Sequence, residues 1–210
     1  LLPLTKKIPK ALLRYKSKTL LEHVINNSSF YGIKNLYFSI YHMKNKIKKF
    51  LKNKKFYNIK LNFIEENKPL GTIGSLSLLK NISNNFFVLN CDVISNVDLR
   101  DLYNSHIKSG CLMTLSIKKL KLKNPYGTVI SKGKKLVSIK EKPDQNFDIN
   151  AGVYVFNKKI IKIIKKLKFK KIDELIQYLV KKKIKINIFH MVEKWQDFGQ
   201  DIETLKKYNS

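Results

Sequence analysis

Two aspartates stand where a fold could present a carboxylate to a ligand. Asp92 closely follows the apolar run 86–90 (FFVLN), and Asp197 lies in the segment 195–199 (WQDFG). Ligands of open parallel sheets bind beyond the carboxyl ends of the strands, so a carboxylate at such an end can hold Mg²⁺. Each aspartate also has an ordinary structural interpretation. Asp92 could be a helix N-cap or turn residue, and Asp197 a turn residue packed beneath the only tryptophan.

Glycine and proline shape the backbone near these and other candidate groups. Gly199 predicts a flexible or left-handed backbone next to Asp197, and the segment 69–74 (PLGTIG) predicts a turn that opens a helix and offers free N–H groups. The glycine spacing in that segment matches neither the P-loop nor the dinucleotide fingerprint, so it is equally a plain strand-to-helix turn. Lys10 and Lys142 each lie beside a proline that limits the local backbone.

The net charge of +28 raises the question of nucleic-acid binding. Of the 43 basic residues, 41 are lysine, and the arginines are Arg14 and Arg100. Bidentate recognition of phosphate and guanine favours arginine, and evenly spread lysine does not mark one groove. Lysine, asparagine and isoleucine share A/T-rich codons, so a genome of low GC content explains the charge more simply than a specific nucleic-acid surface.

Length and composition are those of a folded cytoplasmic protein. The chain has 210 residues, 43% of them hydrophobic, enough to bury a substantial core in one domain. No run reaches the eighteen or so apolar residues of a membrane span, and the first residues lack the apolar stretch of a secretory signal. Cys91 and Cys111 form no CxxC pair, so neither a disulfide framework nor a structural zinc site is predicted.

Alternating apolar periodicities predict the elements that must position these groups. The spacing predicts helices at 20–29, 44–51, 71–80, from Asp98 to about Ser109, at 158–167, at 173–182 and from about Asp201. It predicts strands at 36–40, 60–65, 86–90, 112–118, 128–131, 136–142, 151–157 and 185–191. Helices and strands that alternate in this way predict a parallel sheet covered on both faces, followed by a hairpin around Gly133.

Eight segments, taken in order, resemble one protein family. They are IPKALL (8–13), LEHVI (21–25), EENKPLGTIGSL (65–76), FFVLNCD (86–92), NPYGTV (124–129), IKEKP (139–143), NAGVYVF (150–156) and WQDFG (195–199). These segments look like the ordered landmarks of sugar-1-phosphate nucleotidyltransferases. Within that family the sequence most resembles bacterial enzymes that follow a pair of CBS domains and serve nonulosonic-acid or other surface-sugar pathways, often as guanylyltransferases.

The resemblance implies a fold and a reaction. The fold would be α/β, a Rossmann-like three-layer α/β/α nucleotidyltransferase domain with a mixed, mainly parallel sheet. Residues 1–110 would form the nucleotide-binding part and residues 111–210 the sugar-phosphate-binding part of this single domain. The reaction would transfer a nucleoside monophosphate from an NTP to a sugar 1-phosphate, giving an NDP-sugar and pyrophosphate for surface polysaccharide or glycan precursors.

The resemblance also implies roles for individual residues. Lys10 would hold the phosphates of the NTP, and Lys142 the phosphate shared between sugar and nucleotide. Asp92 and Asp197 would ligate Mg²⁺, and these four residues would be the catalytic ones. The nucleotide site would be lined by Glu66, Leu70, Gly71 and Thr72. The sugar pocket would be lined by Tyr126, Gly127, Glu141, Asn150 and Gly152.

Glu66 gives a small independent argument about the base. An ionised carboxylate only accepts hydrogen bonds, and guanine offers N1–H and its exocyclic amine as adjacent donors, whereas thymine and uracil offer one donor between two acceptors. GTP is therefore favoured if Glu66 faces the base. Glu66 could equally point to solvent and leave recognition to backbone groups.

The sequence departs from the family pattern in two places. The glycine-rich signature loop and the first strand would precede LLPLT, and the chain begins with Leu1, which predicts either a fragment of a longer protein or a degenerate member. Cys91 stands where the family usually has glycine before the metal-binding aspartate. On this basis a fragment without the loop is expected to turn over little and to be poorly stable.

Several alternatives stay open at this point. The enzyme could be a mannose-1-phosphate guanylyltransferase or a glucose-1-phosphate thymidylyltransferase or uridylyltransferase. A catalytically silent regulatory homologue that binds sugar nucleotides is the alternative from another functional class. A homo-oligomer and upstream CBS domains are possible partners, and no specific nucleic acid is expected.

Overall fold

The computed structural model describes residues 4–209 and has a mixed α/β fold. Its α-helices are α1 (Leu20–Phe30), α2 (Lys44–Lys52), α3 (Leu99–Ser109), α4 (Lys159–Leu167), α5 (Ile172–Lys181) and α6 (Ile202–Asn209). Short 3-10 helices span Leu4–Lys6, Lys10–Leu12 and Gly74–Leu78. The strands are β1 (Arg14–Tyr15), β2 (Lys18–Thr19), β3 (Asn35–Ile40), β4 (Lys60–Glu65), β5 (Asn85–Leu89), β6 (Val93–Ser95), β7 (Met113–Lys123), β8 (Thr128–Lys132), β9 (Lys135–Lys140), β10 (Asp144–Asn157), β11 (Asn187–Met191) and β12 (Trp195–Asp197).

The largest sheet is mixed, in the order β11-β7-β10-β5. β11 runs parallel to β7, whereas β10 runs antiparallel to both β7 and β5. β3 and β4 form a separate parallel pair. The mixed sheet of the predicted fold is confirmed. The antiparallel placement of β10 arises because the chain returns from β7 through a hairpin rather than a helical crossover.

β10 lies between two helical layers, because its alternate side chains enter different apolar clusters. Tyr154 and Phe156 pack with residues of α4 and α5. Val153 and Val155 point the other way and pack with residues of α3. This alternation is the period-2 pattern of a strand buried on both faces, and it gives the three layers expected of the fold.

The predicted helix at 71–80 is absent, and only the 3-10 helix Gly74–Leu78 forms there. Gly71 has a φ of +78°, and the backbone N–H of Ile73 donates to the carbonyl of Lys170 at 3.1 Å. The segment is therefore tied to the turn between α4 and α5, which stops it from winding into an α-helix.

Other elements begin or end differently from the prediction. β7 extends to Lys123 and β10 begins at Asp144, so both are longer than the predicted strands at 112–118 and 151–157. The extra lengths pair with each other in register from Asp144 opposite Lys123. They were missed because the β7 extension (119–123, KLKLK) is rich in lysine and the β10 extension (144–150, DQNFDIN) is mostly polar, so neither continues the apolar run on which the predicted strand rests.

The extra lengths of β7 and β10, together with the hairpin of β8 and β9, form an arm at residues 119–148 in which no residue is buried. The hairpin nevertheless carries large aliphatic side chains, such as Leu136, which is 65% exposed, and Ile139, which is 64% exposed. Among residues 4–209, no helix is long and apolar enough to cross a membrane.

Candidate functional site

The backbone brings Asp92 and Asp197 together although 105 positions separate them in sequence. β12 pairs with β6 in an antiparallel ladder in which Asp197 lies opposite Val93. The backbone N–H of Phe198 then donates to the carbonyl oxygen of Asp92 at 2.9 Å. The two aspartates are therefore held next to each other by main-chain hydrogen bonds, independently of their side chains.

A small apolar cluster fixes the segment that carries Asp197. Phe198 is fully buried with Leu13, Leu20 and Leu205, and its ring lies 4.6 Å from that of Tyr15. Burying a phenylalanine side chain stabilises a fold by about 1.5–3 kcal/mol. The buried ring of Phe198 thus fixes the backbone of this segment, and the carboxylate of the neighbouring Asp197 lies at the surface of the cluster.

The same cluster positions Lys10. The 3-10 helix Lys10–Leu12 ends on Leu13, whose backbone N–H donates to the carbonyl of Lys10 at 3.1 Å. The ammonium of Lys10 forms an ion pair with the Oδ2 atom of Asp92. The Lys10 and Asp92 side chains are only 30% and 23% exposed, so water screens this pair incompletely.

Three charged groups converge on Gly199. A Cβ atom added to Gly199 would lie 2.8 Å from Asp197 Oδ1, 3.2 Å from Lys10 Nζ and 3.3 Å from Asp92 Oδ2. The backbone of Gly199 does not have a positive φ, so the predicted left-handed conformation is wrong. Glycine leaves room there for the three charged groups, because a side chain would push the Asp197 carboxylate away and crowd Lys10 and Asp92.

We call the space around Gly199 that is bordered by Lys10, Asp92 and Asp197 the cradle. Its chemistry fits Mg²⁺. Two carboxylate oxygens face the space that a Cβ would fill, and Mg²⁺ is commonly bound by one or two carboxylates together with substrate phosphates. Residues 4–209 contain no group of three or more His, Cys, Asp or Glu side chains that could hold a metal ion. Asp92 and Asp197 could therefore hold the ion only if phosphate or water completes its coordination.

A β-bulge in β10 contains Asn150 and Gly152 and brings Gly152 against Asn90, two residues before Asp92. The pairing of β10 with β7 shifts register between Asn150 and Tyr154, and Gly152 has a φ of +72° within the bulge. The indole N–H of Trp195 donates to the carbonyl of Ala151 at 2.8 Å. Bulges redirect side chains near functional sites, and Trp195 holds this one in place.

Asn90, which contacts the bulge, and Tyr154, which is buried next to it in β10, were not identified by the sequence analysis. The backbone N–H of Asn90 donates to the Gly152 carbonyl at 2.9 Å, and a Cβ on Gly152 would lie 2.8 Å from the Asn90 Nδ2 atom. Burial, and to a smaller degree the Asp92 carboxylate, raise the pKa of Tyr154, while a hydrogen bond with Asn150 opposes the shift. Asn90 could have been found, because it is the polar residue that ends the apolar run before Asp92.

Glu66 is committed to hydrogen bonds within the protein. It is 7% exposed, and its carboxylate accepts from the backbone N–H of Leu70 at 2.8 Å and from the Ser39 hydroxyl. These bonds close the loop from Glu66 to Leu70. Any hydrogen bond from a base would have to use the remaining lone pairs of the carboxylate.

Gly71 and Thr72 have structural contacts with the turn between α4 and α5. A Cβ on Gly71 would lie 2.5 Å from the carbonyl oxygen of Lys170. The Thr72 hydroxyl accepts a hydrogen bond from the backbone N–H of Ile172 at 3.1 Å. These contacts account for glycine and threonine at the two positions without a ligand.

The remaining predicted residues lie together in the middle of the arm, where the ladder of β7 and β10 meets the hairpin of β8 and β9. A Cβ on Gly127 would lie 3.0 Å from Glu141 Oε2, and Lys142 pairs with Glu141 at 4.0 Å. Tyr126 is 75% exposed. Within the described residues, the hydrogen bonds and ion pairs do not join Lys142 to Asp92, so the structure brings three of the four predicted catalytic residues together.

Cys91 precedes Asp92 in the chain and lies at an exposed position. Desolvation of its sulfur, and next the Asp92 carboxylate, raise the pKa of the thiol to about 11. The thiol is therefore neutral at physiological pH and adds no charge to the group of Lys10 and the two aspartates.

The family model described as nucleotidyl transferase matches residues 1–208. Over 208 residues the chain is 29% identical to the mannose-1-phosphate guanyltransferase of Aspergillus oryzae, an alignment that covers 94% of this chain and 57% of that protein. The chain thus spans little more than half the length of the curated relatives that it matches.

Solved structures share the fold. The crystal structure of HddC from Yersinia pseudotuberculosis superposes with a TM-score of 0.72 at 24% identity, covering 96% of this chain and 89% of that one. A UDP-glucose pyrophosphorylase complexed with UDP-glucose superposes with a TM-score of 0.70 at 18% identity, covering 99% and 91%. With a family model that matches almost the whole chain and a fold shared with these proteins, the chain belongs to the nucleotidyl transferase family.

Proposed function

We propose that this chain carries the active site of a sugar-1-phosphate nucleotidyltransferase, with GTP and mannose 1-phosphate as the first substrates to test. The observation that carries the proposal is the convergence of Lys10, Asp92 and Asp197 around Gly199. A cation and two carboxylates in one partly shielded place suit a reaction in which phosphate charge must be held and redistributed.

Each charged residue has a defined task in this reaction. The Lys10 ammonium donates hydrogen bonds to the NTP phosphates, and Asp92 and Asp197 hold Mg²⁺. When bound, Mg²⁺ supplies positive charge that neutralises the triphosphate during in-line attack by the sugar phosphate oxygen. The main-chain bonds between the two aspartate segments fix the carboxylates before substrates arrive, so little reorganisation is needed in the reaction.

The bulge and the middle of the arm would form the sugar-phosphate side. Gly152 contacts Asn90, which lies two residues before Asp92, and Asn150 hydrogen-bonds to the buried Tyr154. Glu141 and Lys142 are highly exposed, at 73% and 67% of their side chains, and are free to turn toward a phosphate or sugar hydroxyl. In this proposal Lys142 reaches the shared phosphate only when substrate is bound.

The preference for GTP rests on relatives rather than on Glu66 alone. Curated relatives from Aspergillus oryzae and Schizosaccharomyces pombe are mannose-1-phosphate guanyltransferases, and the Yersinia HddC has also been solved in complex with GMP-PN. The internal hydrogen bonds of Glu66 leave fewer lone pairs for guanine. A thymidylyltransferase or uridylyltransferase therefore remains the competing assignment within this class.

Pyrophosphate release tests the proposal. The full-length protein is incubated with Mg²⁺, each of the four NTPs and a panel of sugar 1-phosphates, with its Asp92→Asn variant as control. We expect release with GTP and mannose 1-phosphate that depends on both substrates and is lost in the variant. Release with another pair would correct the substrates, whereas nucleotide-sugar binding without any release would identify a silent homologue and refute the proposal.

A further inference from the structure

The ammonium of Lys10 is already a counter-ion of the candidate metal site. It forms an ion pair with Asp92 Oδ2, and both side chains are shielded from water over most of their surface. Lys10 Nζ also lies 3.2 Å from the position of a Cβ on Gly199, the same point that is 2.8 Å from Asp197 Oδ1. The ammonium therefore pairs with Asp92, and the two distances to that common point keep it within about 6 Å of Asp197 Oδ1.

A divalent ion would need the same space. An ion that contacts Asp92 Oδ2 and Asp197 Oδ1 would lie beside the Lys10 ammonium, and like charges repel strongly where water is partly excluded. One of the two cations must move. Asp197 is held by the backbone N–H of Gly199 at 2.6 Å, whereas a lysine ammonium sits on a flexible four-carbon stem.

We infer that Lys10 occupies the cation position of Asp92 in the nucleotide-free protein and must leave it before a divalent ion binds there. The inference rests on the proposed function, because the triphosphate of an NTP provides the anionic oxygens to which Lys10 moves. Lys10 thereby couples the two binding events. The carboxylates have low affinity for the ion until a nucleotide takes up Lys10, which prevents a metal from filling the site alone.

Direct ion binding tests this inference without turnover. Mn²⁺, which accepts the same oxygen ligands as Mg²⁺ and is visible by electron paramagnetic resonance, is titrated into the full-length protein without nucleotide. The variant Lys10→Met removes the ammonium and keeps an unbranched side chain. Lys121→Met is the matched control, because it removes the same charge from an ion pair with Asp144 in the arm.

We expect Lys10→Met to bind Mn²⁺ at least tenfold more tightly than the wild type and Lys121→Met to stay within twofold of it. Adding Asp92→Asn to Lys10→Met should abolish the gain, which shows that the ion binds at Asp92. Circular dichroism verifies the fold, and Lys10→Gln replaces Lys10→Met if the latter does not fold.

The outcomes separate this inference from the proposed function. Equal or weaker Mn²⁺ binding by Lys10→Met overturns the inference even if the wild type releases pyrophosphate. A gain of Mn²⁺ affinity in a protein that releases no pyrophosphate with any substrate pair leaves the cation exchange standing and refutes the proposed function. Absence of Mn²⁺ binding in both proteins overturns the inference and removes the metal ligands from the proposed function.

Discussion

Replacing Gly199 by alanine should separate function from stability. The added methyl group would lie 2.8 Å from Asp197 Oδ1, 3.2 Å from Lys10 Nζ and 3.3 Å from Asp92 Oδ2. Real Cβ atoms are not found at 2.8 Å from a neighbour, so Asp197 Oδ1 must move, whereas the contacts with Lys10 and Asp92 need shifts of only a few tenths of an ångström. The φ of Gly199 is not positive, and alanine therefore adds no backbone strain.

The expected loss of rate follows from that shift. A misplacement of about 1 Å near reacting groups can cost about 10²-fold in rate, which corresponds to about 2.7 kcal/mol of activation free energy. Stability should change little, because alanine at a compatible position stabilises by about 0.4–1 kcal/mol and this offsets part of the crowding. The shifts required here are smaller than 1 Å, so we expect kcat to fall by about 10- to 100-fold, with a change in melting temperature within about 4 °C.

Gly110→Ala is the matched control with the opposite expectation. Gly110 has a φ of +63° at the end of α3, and no atom lies within 4 Å of its added Cβ. The substitution should cost about 1–2 kcal/mol of stability from left-handed strain and leave turnover unchanged. Near-normal kcat in Gly199→Ala, or a loss of kcat explained by its unfolding, would refute the reasoning about the cradle.

Four further outcomes are expected. Asp92→Asn and Asp197→Asn should each remove most turnover while the fold survives. The double variant should be hardly slower than either single variant, because the rate effects of groups that act through one ion are non-additive. Measuring kcat for the three variants checks this. Trp195→Phe should lower the free energy of unfolding in urea by about 1–3 kcal/mol, because it leaves a buried carbonyl of β10 without its donor. Burial lowers the pKa of His106 in the folded protein. The stability contributed by its neutral form is therefore present above about pH 6.5 and is lost as the pH falls toward the lowered folded pKa. Urea titrations should show that the free energy of unfolding of His106→Gln depends less on pH across this window than that of the wild type. Limited trypsin digestion should cut first within residues 119–148, and first cuts within the buried helices would contradict the exposure of the arm.

Local rules of sequence identified Asp92 but could not identify its neighbours in space. A polar residue at the end of an apolar strand is visible in the sequence, because strand ends are where side chains leave the core. The contact of Asp92 with Lys10 spans 82 positions and depends on which of 41 similar lysines the fold brings near. Only the resemblance to a family singled out Lys10.

Gly199 shows how a residue type can be noticed for a reason that is wrong. Glycine is associated with positive φ, and that rule applies to Gly71 and Gly152, which have φ of +78° and +72°. At Gly199 the requirement comes from three side chains carried by distant parts of the chain. A steric constraint of that kind leaves no trace in the local sequence pattern.

The arm marks a second limit of sequence patterns. Apolar alternation correctly predicted the hairpin strands at 128–131 and 136–142, because alternation reports local extended structure. It says nothing about burial, and Val129 and Ile139 are 59% and 64% exposed although they pair across the hairpin. Burial needs a partner surface, which a periodicity cannot reveal.

The geometry of the candidate site depends on contacts between the two ends of the described chain. Arg14 and Asn209 exchange hydrogen bonds of 2.7 and 2.8 Å between the backbone of β1 and the side chain at the end of α6. These bonds close the cluster in which Leu13 and Phe198 are fully buried. Leu13 follows the 3-10 helix of Lys10, and Phe198 follows Asp197. Loosening either end is therefore expected to move the Lys10 ammonium and the Asp197 carboxylate apart.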